Sequence, residues 1–360
     1  MKKQRVLMAM SGGIDSAVAA ILLLKQGYEL VGITFQTYDI FTSCLDKNKT
    51  KAEEDSVSKA KHISRQLNFE HHSIDLRKEF RKNIMNDFIS EYLKGRTPNP
   101  CVLCNFSIKW EYLNKFADEL NCHWIATGHY ARISQKDKRY FLQKGRDKNK
   151  DQSYFLWKLN QKHLARTLFP LGSLTKPQVR LIAQENGYSE LSQQKESQEI
   201  CFIENNNYRH FLETNVDNYN AICKEGDFIN TEGLSIGKHQ GYPNYTIGQR
   251  KGLQVAFGTP KYVCAIDPIK NTVTLGDKED LLATEMKVED INFQKHSSLP
   301  PDFQAVVKIR YRDIGHKAYI KQLDSNTLHI SFIEPVSAIT PGQSAVIYEG
   351  DDIIAGGIIV

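Results

Sequence analysis

The sequence predicts a doubly wound α/β domain with a parallel sheet, a small central mixed domain and a C-terminal antiparallel β-barrel. Three observations lead there. Over roughly the first 130 residues, short apolar runs alternate with helical patterns, as strands joined by crossover helices do. Near residue 210 Gly, Asn, Tyr and Pro become frequent. Over roughly the last 75 residues apolar and polar positions alternate with period two. The expected domains are 1–208, 209–280 and 281–360.

The elements follow in order. Arg5–Met10 reads as a buried strand. Asp15–Gln26 is a helix, apolar from Ala17 to Leu24 and closed by Gly27. Tyr28–Phe35 is a second strand. Thr50–Leu67 opens on a capping box, Thr50 with Glu53, and puts Val57, Ala60, Ile63 and Leu67 on one face. Glu70–Asp75 and His123–Thr127 are further strands, and ligands of such sheets bind at the strands' carboxyl ends. Thr175 and Gln178 cap another helix, with Pro177 in its first turn and Gly187 at its end. In the barrel, Phe303, Ala305, Val307, Ile309 and Tyr311 share one strand face; Lys308, Arg310 and Arg312 lie on the other. Leu328, Ile330 and Phe332 repeat the alternation.

At 360 residues the chain exceeds a single core, and 41% hydrophobic with 25% charged residues is globular composition. The net charge of +5 permits a polyanionic partner without demanding one. No apolar run reaches the ~18 residues of a membrane span, and Val6–Met10 is shorter than a signal peptide's apolar stretch. A cytoplasmic protein without membrane association is expected. Seven cysteines, an odd number, argue for working or buried thiols over a disulfide scaffold.

The first strand runs into Ser11-Gly12-Gly13-Ile14-Asp15-Ser16, which opens the apolar helix. Two glycines permit a sharp turn with bare N–H groups, and a helix N-terminus makes such a turn an anion nest. It lacks the Lys of a Walker loop. The second informative stretch is Gly95-Arg96-Thr97-Pro98-Asn99-Pro100-Cys101-Val102-Leu103-Cys104-Asn105. Asn99 suits a helix N-cap and Pro100 the first helical position, which puts Cys101 and Cys104 on one face of a first turn. The helix dipole there predicts lowered thiol pKa values. Cys201 is the third candidate; Cys44, Cys122, Cys223 and Cys264 read as small buried hydrophobes. By themselves the thiols leave open a redox pair, a zinc site short of ligands, a 4Fe–4S cluster and a sulfur-carrying pair.

Seven motifs in order carry a resemblance over nearly the whole chain: SGGIDS, GRTPNPCVLCN, ATGHYAR (Ala126–Arg132), KDQSYFL (Lys150–Leu156), SQEICFI (Ser197–Ile203), YTIGQRKGL (Tyr245–Leu253) and PGQSAV (Pro341–Val346). The chain resembles the tRNA-specific 2-thiouridylases, the MnmA/TrmU family of the PP-loop ATP pyrophosphatases. The resemblance implies that ATP, with Mg2+, adenylates the C2 oxygen of the wobble uridine in the tRNA anticodon loop, and that persulfide sulfur replaces that oxygen. It makes Cys201 the persulfide carrier and Cys104 the nucleophile that releases sulfur, leaving a Cys104–Cys201 disulfide. Cys101 stands where many members carry Asp, so it adds an acid/base candidate or a third ligand for a 4Fe–4S cluster. Ala9, Met10, Ser11, Gly12, Gly13, Ile14, Asp15, Ser16, Phe35 and Gly128 are implied around ATP. Asn99, Pro100, Cys101, His129, Lys150, Asp151, Gln152, Arg310, Tyr311 and Gln343 are implied to meet tRNA. A persulfide-donating carrier or cysteine desulfurase is the implied partner. The competing readings are another PP-loop tRNA enzyme of the 4-thiouridine or lysidine type, and a non-catalytic RNA-binding protein.

Overall fold

The computed structural model describes residues 4–38, 56–193, 200–253 and 258–360. It divides into two compact units. The first is drawn from Met1–Ile84, Cys101–Gln198 and Asp351–Ile354, the second from Met85–Pro100, Glu199–Gly350 and Ala355–Val360.

In the first unit the strands are β1 (Arg5–Ala9), β2 (Glu29–Gln36), β3 (Glu70–Asp75), β4 (Trp124–Ala126), a hairpin of β5 (Ala131–Lys136) and β6 (Arg139–Lys144), and β7 (Thr167–Leu168). β3-β2-β1-β4-β7 form one sheet, parallel at every pairing. Val6, Leu7 and Met8 are fully buried, which is why β1 reads as a continuous apolar run: both faces are covered. After β3 the chain crosses to the other side of β1 to build β4. The strand order therefore reverses at β1, and the crevice at its carboxyl end is the switch point where doubly wound sheets bind ligands.

Helix α1 (Ile14–Lys25) leaves that point directly. It is apolar on nearly all sides because Ala17–Ala20 are all fully enclosed, and Val179 and Ala183 of the helix Lys176–Glu185 share its core. Gln26 ends α1, and Gly27 follows with φ +88°. α2 (Ser56–Gln66) buries Val57, Ala60 and Ile63. The proposed capping residues Thr50 and Glu53 lie outside the described residues, as does Cys44. The Thr175–Gln178 capping box is present: Thr175 N–H donates to Gln178 Oε1 at 2.9 Å.

The second unit holds a sheet ordered β10-β11-β8-β9, where β8 is Gly226–Ile229, β9 Ser235–His239, β10 Tyr262–Asp267 and β11 Thr272–Gly276. Phe228, Val263 and Val273 are its fully buried centre. It also holds a six-stranded antiparallel barrel of β12 (Leu282–Phe293), β13 (Phe303–Lys308), β14 (His316–Gln322), β15 (Thr327–Ser337), β16 (Ser344–Glu349) and β17 (Asp352–Ile359). The order is β12-β15-β14-β13-β16-β17, and pairing of Val288 with Ile359 and of Phe293 with Ala355 closes the ring. Closure removes the free strand edges that a small sheet would otherwise expose.

The barrel corrects one expectation. The strand predicted through Arg312 stops at Lys308. The buried Asp313 is the cause: its Oδ2 accepts the Ile309 N–H at 3.0 Å, its own N–H donates to Arg310 O at 3.1 Å, and its Oδ1 holds His316 Nε2 at 3.0 Å. Arg310, Tyr311 and Arg312 therefore ride on a turn, not on one strand face. Among the described residues no helix is long and apolar enough to cross a membrane.

Candidate active site

Ser11, Gly12 and Gly13 lie in the turn between β1 and α1, and Ile14, Asp15 and Ser16 open the helix. Gly12 has φ +75°, and a Cβ there would stand 2.7 Å from both Lys59 Cβ and Ser56 O at the start of α2. Both conformation and space thus require glycine. Gly13 instead caps α1 from extended backbone, without a side-chain cap. Ser16 Oγ donates to Gly13 O at 2.9 Å, and Ser11 Oγ lies 3.3 Å from Ser16 Oγ, so the hydroxyls line the turn. Ala9 is half-buried, Met10 and Ile14 are buried, and Met10 O accepts the Thr34 hydroxyl at 2.7 Å.

Gly128 belongs to the same spot for a steric reason. A Cβ on it would come within 2.9 Å of Asp15 C and Ser16 N, so the backbone of the ATGHYAR segment abuts the first turn of α1. Phe35, one residue before the end of β2, is half-buried, with Tyr112 and Phe116 at ring-centroid distances of 6.4 and 6.3 Å. That aromatic group offers an apolar face at the sheet's carboxyl edge. Tyr112 and Phe116 carried no signal in the sequence beyond helical spacing.

Asp15 lies in the first turn of α1, and both of its oxygens are engaged. Lys176 Nζ donates to Oδ1 at 2.8 Å and to Oδ2 at 2.9 Å, and Tyr130 OH donates to Oδ1 at 2.7 Å. Tyr130 sits inside the ATGHYAR motif; Lys176 had no local signal at all.

The motifs of this unit fasten to one another. Tyr130 N–H donates to Gln152 Oε1, and Gln152 N–H to Tyr130 O, each at 2.9 Å. Asn105 Nδ2 donates to Phe155 O at 3.0 Å, tying the cysteine motif to KDQSYFL. Asp151 is buried and accepts from Gly145 N, Ser153 N and Ser153 Oγ at 2.9, 3.1 and 2.9 Å. Lys150 is half-buried beside it. His129 Nδ1 lies 2.8 Å from Thr127 Oγ1, and its ring stands 5.6 Å from Trp110 and 6.2 Å from Phe169. Burial first, then the Lys109 charge, hold its pKa well below the ordinary value, so the imidazole is neutral.

Pro100 starts the helix that carries Cys101 and Cys104, as the sequence predicted. The thiol acidity runs the other way. Burial raises both pKa values, that of Cys104 to about 11, with Lys109 opposing at both sites and Cys101 adding to the rise at Cys104. A helix-end dipole contributes only about 0.3–1 kcal/mol, and desolvation of a thiolate outweighs it. Both cysteines are free.

In the second unit Cys201 is exposed and in no disulfide, and Phe202 beside it is buried. Phe202 meets Phe88 and Phe211 at 5.4 and 5.2 Å, so the segment carrying the thiol is anchored by one aromatic side chain. Gln343 Nε2 donates to Thr97 O at 2.9 Å and to Pro98 O at 3.1 Å. Gly342 leaves space for that segment, since a Cβ would lie 2.8 Å from Thr97 O. Asn99 is half-buried and Pro100 buried. Arg310 is exposed and Tyr311 half-exposed; the Tyr311 carbonyl accepts from Lys308 Nζ at 3.1 Å.

Among the described residues no group of three or more His, Cys, Asp or Glu side chains is arranged to hold a metal ion. Cys101 and Cys104 alone do not make a cluster site, so no chemical step is assigned to iron–sulfur here.

A parallel sheet that delivers a glycine turn and a helix N-terminus to its switch point is the architecture of nucleotide-binding domains, and the SGGIDS sequence of that turn resembles the PP-loop class. Comparison with known proteins narrows this. Residues 4–205 match the model described as a tRNA methyl transferase HUP domain, 210–277 a tRNA methyl transferase PRC-barrel domain, and 283–359 an aminomethyltransferase beta-barrel domain. The chain is 49% identical over 365 residues to the tRNA-specific 2-thiouridylase MnmA of Amoebophilus asiaticus, covering 100% of this chain and 96% of that protein. It is 46% identical to the protein of the same name from Salinibacter ruber, covering 99% and 94%. With the Cytophaga hutchinsonii protein identity is again 46%, covering 99% and 98%. The chain belongs to the tRNA-specific 2-thiouridylase family.

Proposed function

We propose that this chain is an ATP-dependent tRNA 2-thiouridylase, a tRNA-uridine 2-sulfurtransferase. The observation that carries the reading is the SGGIDS turn at the switch point, in the same unit as the paired thiols Cys101 and Cys104. Methyl transfer, the word in the matched domain descriptions, would give neither a pyrophosphate-binding turn nor two thiols a role.

The N–H groups at the start of α1 and the Ser11 and Ser16 hydroxyls would hold the β and γ phosphates. Mg2+ would accompany ATP and neutralise them. Phe35 would offer its apolar face to adenine, and Gly128 would let the nucleotide lie against the turn. The uridine C2 oxygen attacks the α-phosphate and pyrophosphate leaves. The terminal sulfur of a Cys201 persulfide then attacks C2, and AMP departs with the former oxygen. Cys104, once deprotonated, attacks the inner Cys201 sulfur; the S–S bond of the persulfide breaks, sulfur stays on C2, and a Cys104–Cys201 disulfide forms. External reductant and a persulfide donor, a sulfur carrier or cysteine desulfurase, would reset the pair.

For tRNA, Lys150 and Arg310 suit phosphates and Tyr311 suits stacking, while Asn99-Pro100-Cys101 would border the flipped base. His129 is neutral and would contact RNA as a hydrogen-bonding group, not as a cation. Asp151, Gln152 and Gln343 would act by holding backbone, through the Asp151 carboxylate, Gln152 Oε1 and Gln343 Nε2. We take the domain limits as 1–208, 209–280 and 281–360. A persulfide route needs only these thiols, which favours it over a 4Fe–4S cluster on Cys101, Cys104 and Cys201.

The test is thiolation of an unmodified tRNA transcript with ATP, Mg2+ and a sulfur source, read by retardation in mercury-containing gels. AMP and pyrophosphate should form with 2-thiouridine, and Cys201→Ser should abolish the shift. Release of ADP, or full thiolation by Cys201→Ser, would overturn the scheme. Normal turnover by both Cys104→Ala and Cys201→Ala would favour the lysidine type of reaction.

A further inference from the structure

Lys176 is the first residue of the helix Lys176–Glu185 and is 5% exposed. Two features fix it there. Its N–H donates to Asp147 Oδ2 at 2.9 Å, and the buried Val179 and Ala183 bind its helix into the core around α1. This packing brings an ammonium group across 161 residues of sequence onto both carboxylate oxygens of Asp15, with the Tyr130 ring 5.7 Å away. A buried ion pair is weak evidence for stability, because apolar groups of the same volume commonly do as well. Its location is the informative part. Residues Ala9–Ser16 contain no cation, yet they would receive the most negative end of ATP. They do contain a carboxylate, in the first turn of the helix that the phosphates approach.

We propose that Lys176 is a positioning residue for ATP: it cancels and orients the Asp15 carboxylate, so that the turn accepts the β and γ phosphates without repelling them. Lys176 acts through Asp15 and does not itself reach the nucleotide. Tyr130 is the second support, and it links the ATGHYAR motif to the same carboxylate. The inference rests on the reading that ATP binds at this turn.

The experiment measures ATP and AMP affinities by calorimetry at fixed Mg2+. Lys176→Met should bind ATP about tenfold more weakly, the equivalent of 1.4 kcal/mol, and AMP within about twofold of the unaltered protein. Lys176→Arg should recover most of the loss. Equal weakening for ATP and AMP, or none, would overturn the inference. A second comparison does not depend on Lys176→Met folding. In an Asp15→Asn background no carboxylate remains to be compensated, so adding Lys176→Met should change ATP affinity by less than about twofold. A tenfold change there overturns the assignment. If the unaltered chain binds no ATP, the nucleotide reading itself fails; if it binds ATP and Lys176→Met binds it equally, only the role of Lys176 fails.

Discussion

Raising the pH over the free enzyme should show Cys104 to be a reluctant thiolate. Its pKa goes from 9.0 to about 11, chiefly because the side chain is buried, with Lys109 pulling the other way and Cys101 adding to the rise. Two pH units mean about a hundredfold less thiolate at neutral pH than an ordinary cysteine would hold. The assay is iodoacetamide labelling of the Cys104 peptide, followed by mass spectrometry from neutral to strongly alkaline pH in a Cys101→Ser background. The labelling rate should keep climbing past pH 9, and Lys109→Met should slow it further, since Lys109 favours the thiolate. The same shift has a stability sign. The folded protein holds this proton more tightly than the unfolded chain. The contribution is therefore complete below pH 9 and is lost as pH rises through about 11, at roughly 3 kcal/mol for the two units. Half-titration of Cys104 at or below about 8.5 would refute the reasoning, because it would mean that the helix end outweighs burial. The expected result has a mechanistic consequence: the resting thiol is protected from stray oxidants, and its proton must leave after substrate arrives.

Two further outcomes follow from the geometry. Asp151→Ala removes the acceptor of three buried hydrogen bonds, so it should lower stability by roughly 2–4 kcal/mol; an unchanged thermal midpoint would return Asp151 to a purely RNA-facing role. Arg310→Ala, on an exposed turn, should leave ATP affinity intact while making the salt dependence of tRNA binding shallower by about 0.7 in log–log slope; an unaltered slope means that Arg310 meets no phosphate.

Much of the fold was legible because its signals are local. The apolar run Val6–Met8 and the apolar helix after it announce a buried strand and an enclosed helix, and the Thr175–Gln178 box announces its own helix. The Phe303–Arg312 stretch misled because its alternation continues past the real end of the strand. What ends it is Asp313 folding back on Ile309, a side-chain bond that periodicity does not contain. The cysteine pKa values misled for a related reason. Position at a helix start is readable from Asn99-Pro100, whereas the depth of burial that reverses the shift depends on tertiary packing.

The same division runs through the site itself. The sharp glycine turn that opens α1 was readable in Ser11–Ser16, but the partners of Asp15 come from Tyr130 and Lys176, 115 and 161 residues away. Within the first unit, Asp15 joins Tyr130, Tyr130 joins Gln152, and Asn105 joins Phe155. Four motifs that look like separate stretches are thus one series joined by three links, SGGIDS to ATGHYAR, ATGHYAR to KDQSYFL, and KDQSYFL to the cysteine motif. A polar residue in such a motif can serve RNA by presenting its own side chain or by fixing the backbone that presents another. Asp151 has both carboxylate oxygens engaged inward, and Gln152 and Gln343 each hold backbone with one side-chain atom, so the second role suits them, and substituting them should disturb turnover and folding before it disturbs the charge sensed by RNA. Arg310 has its side chain in solvent and suits the first. Salt dependence separates the two roles, because releasing counterions from RNA requires a cation at the phosphate and is indifferent to what holds the loop.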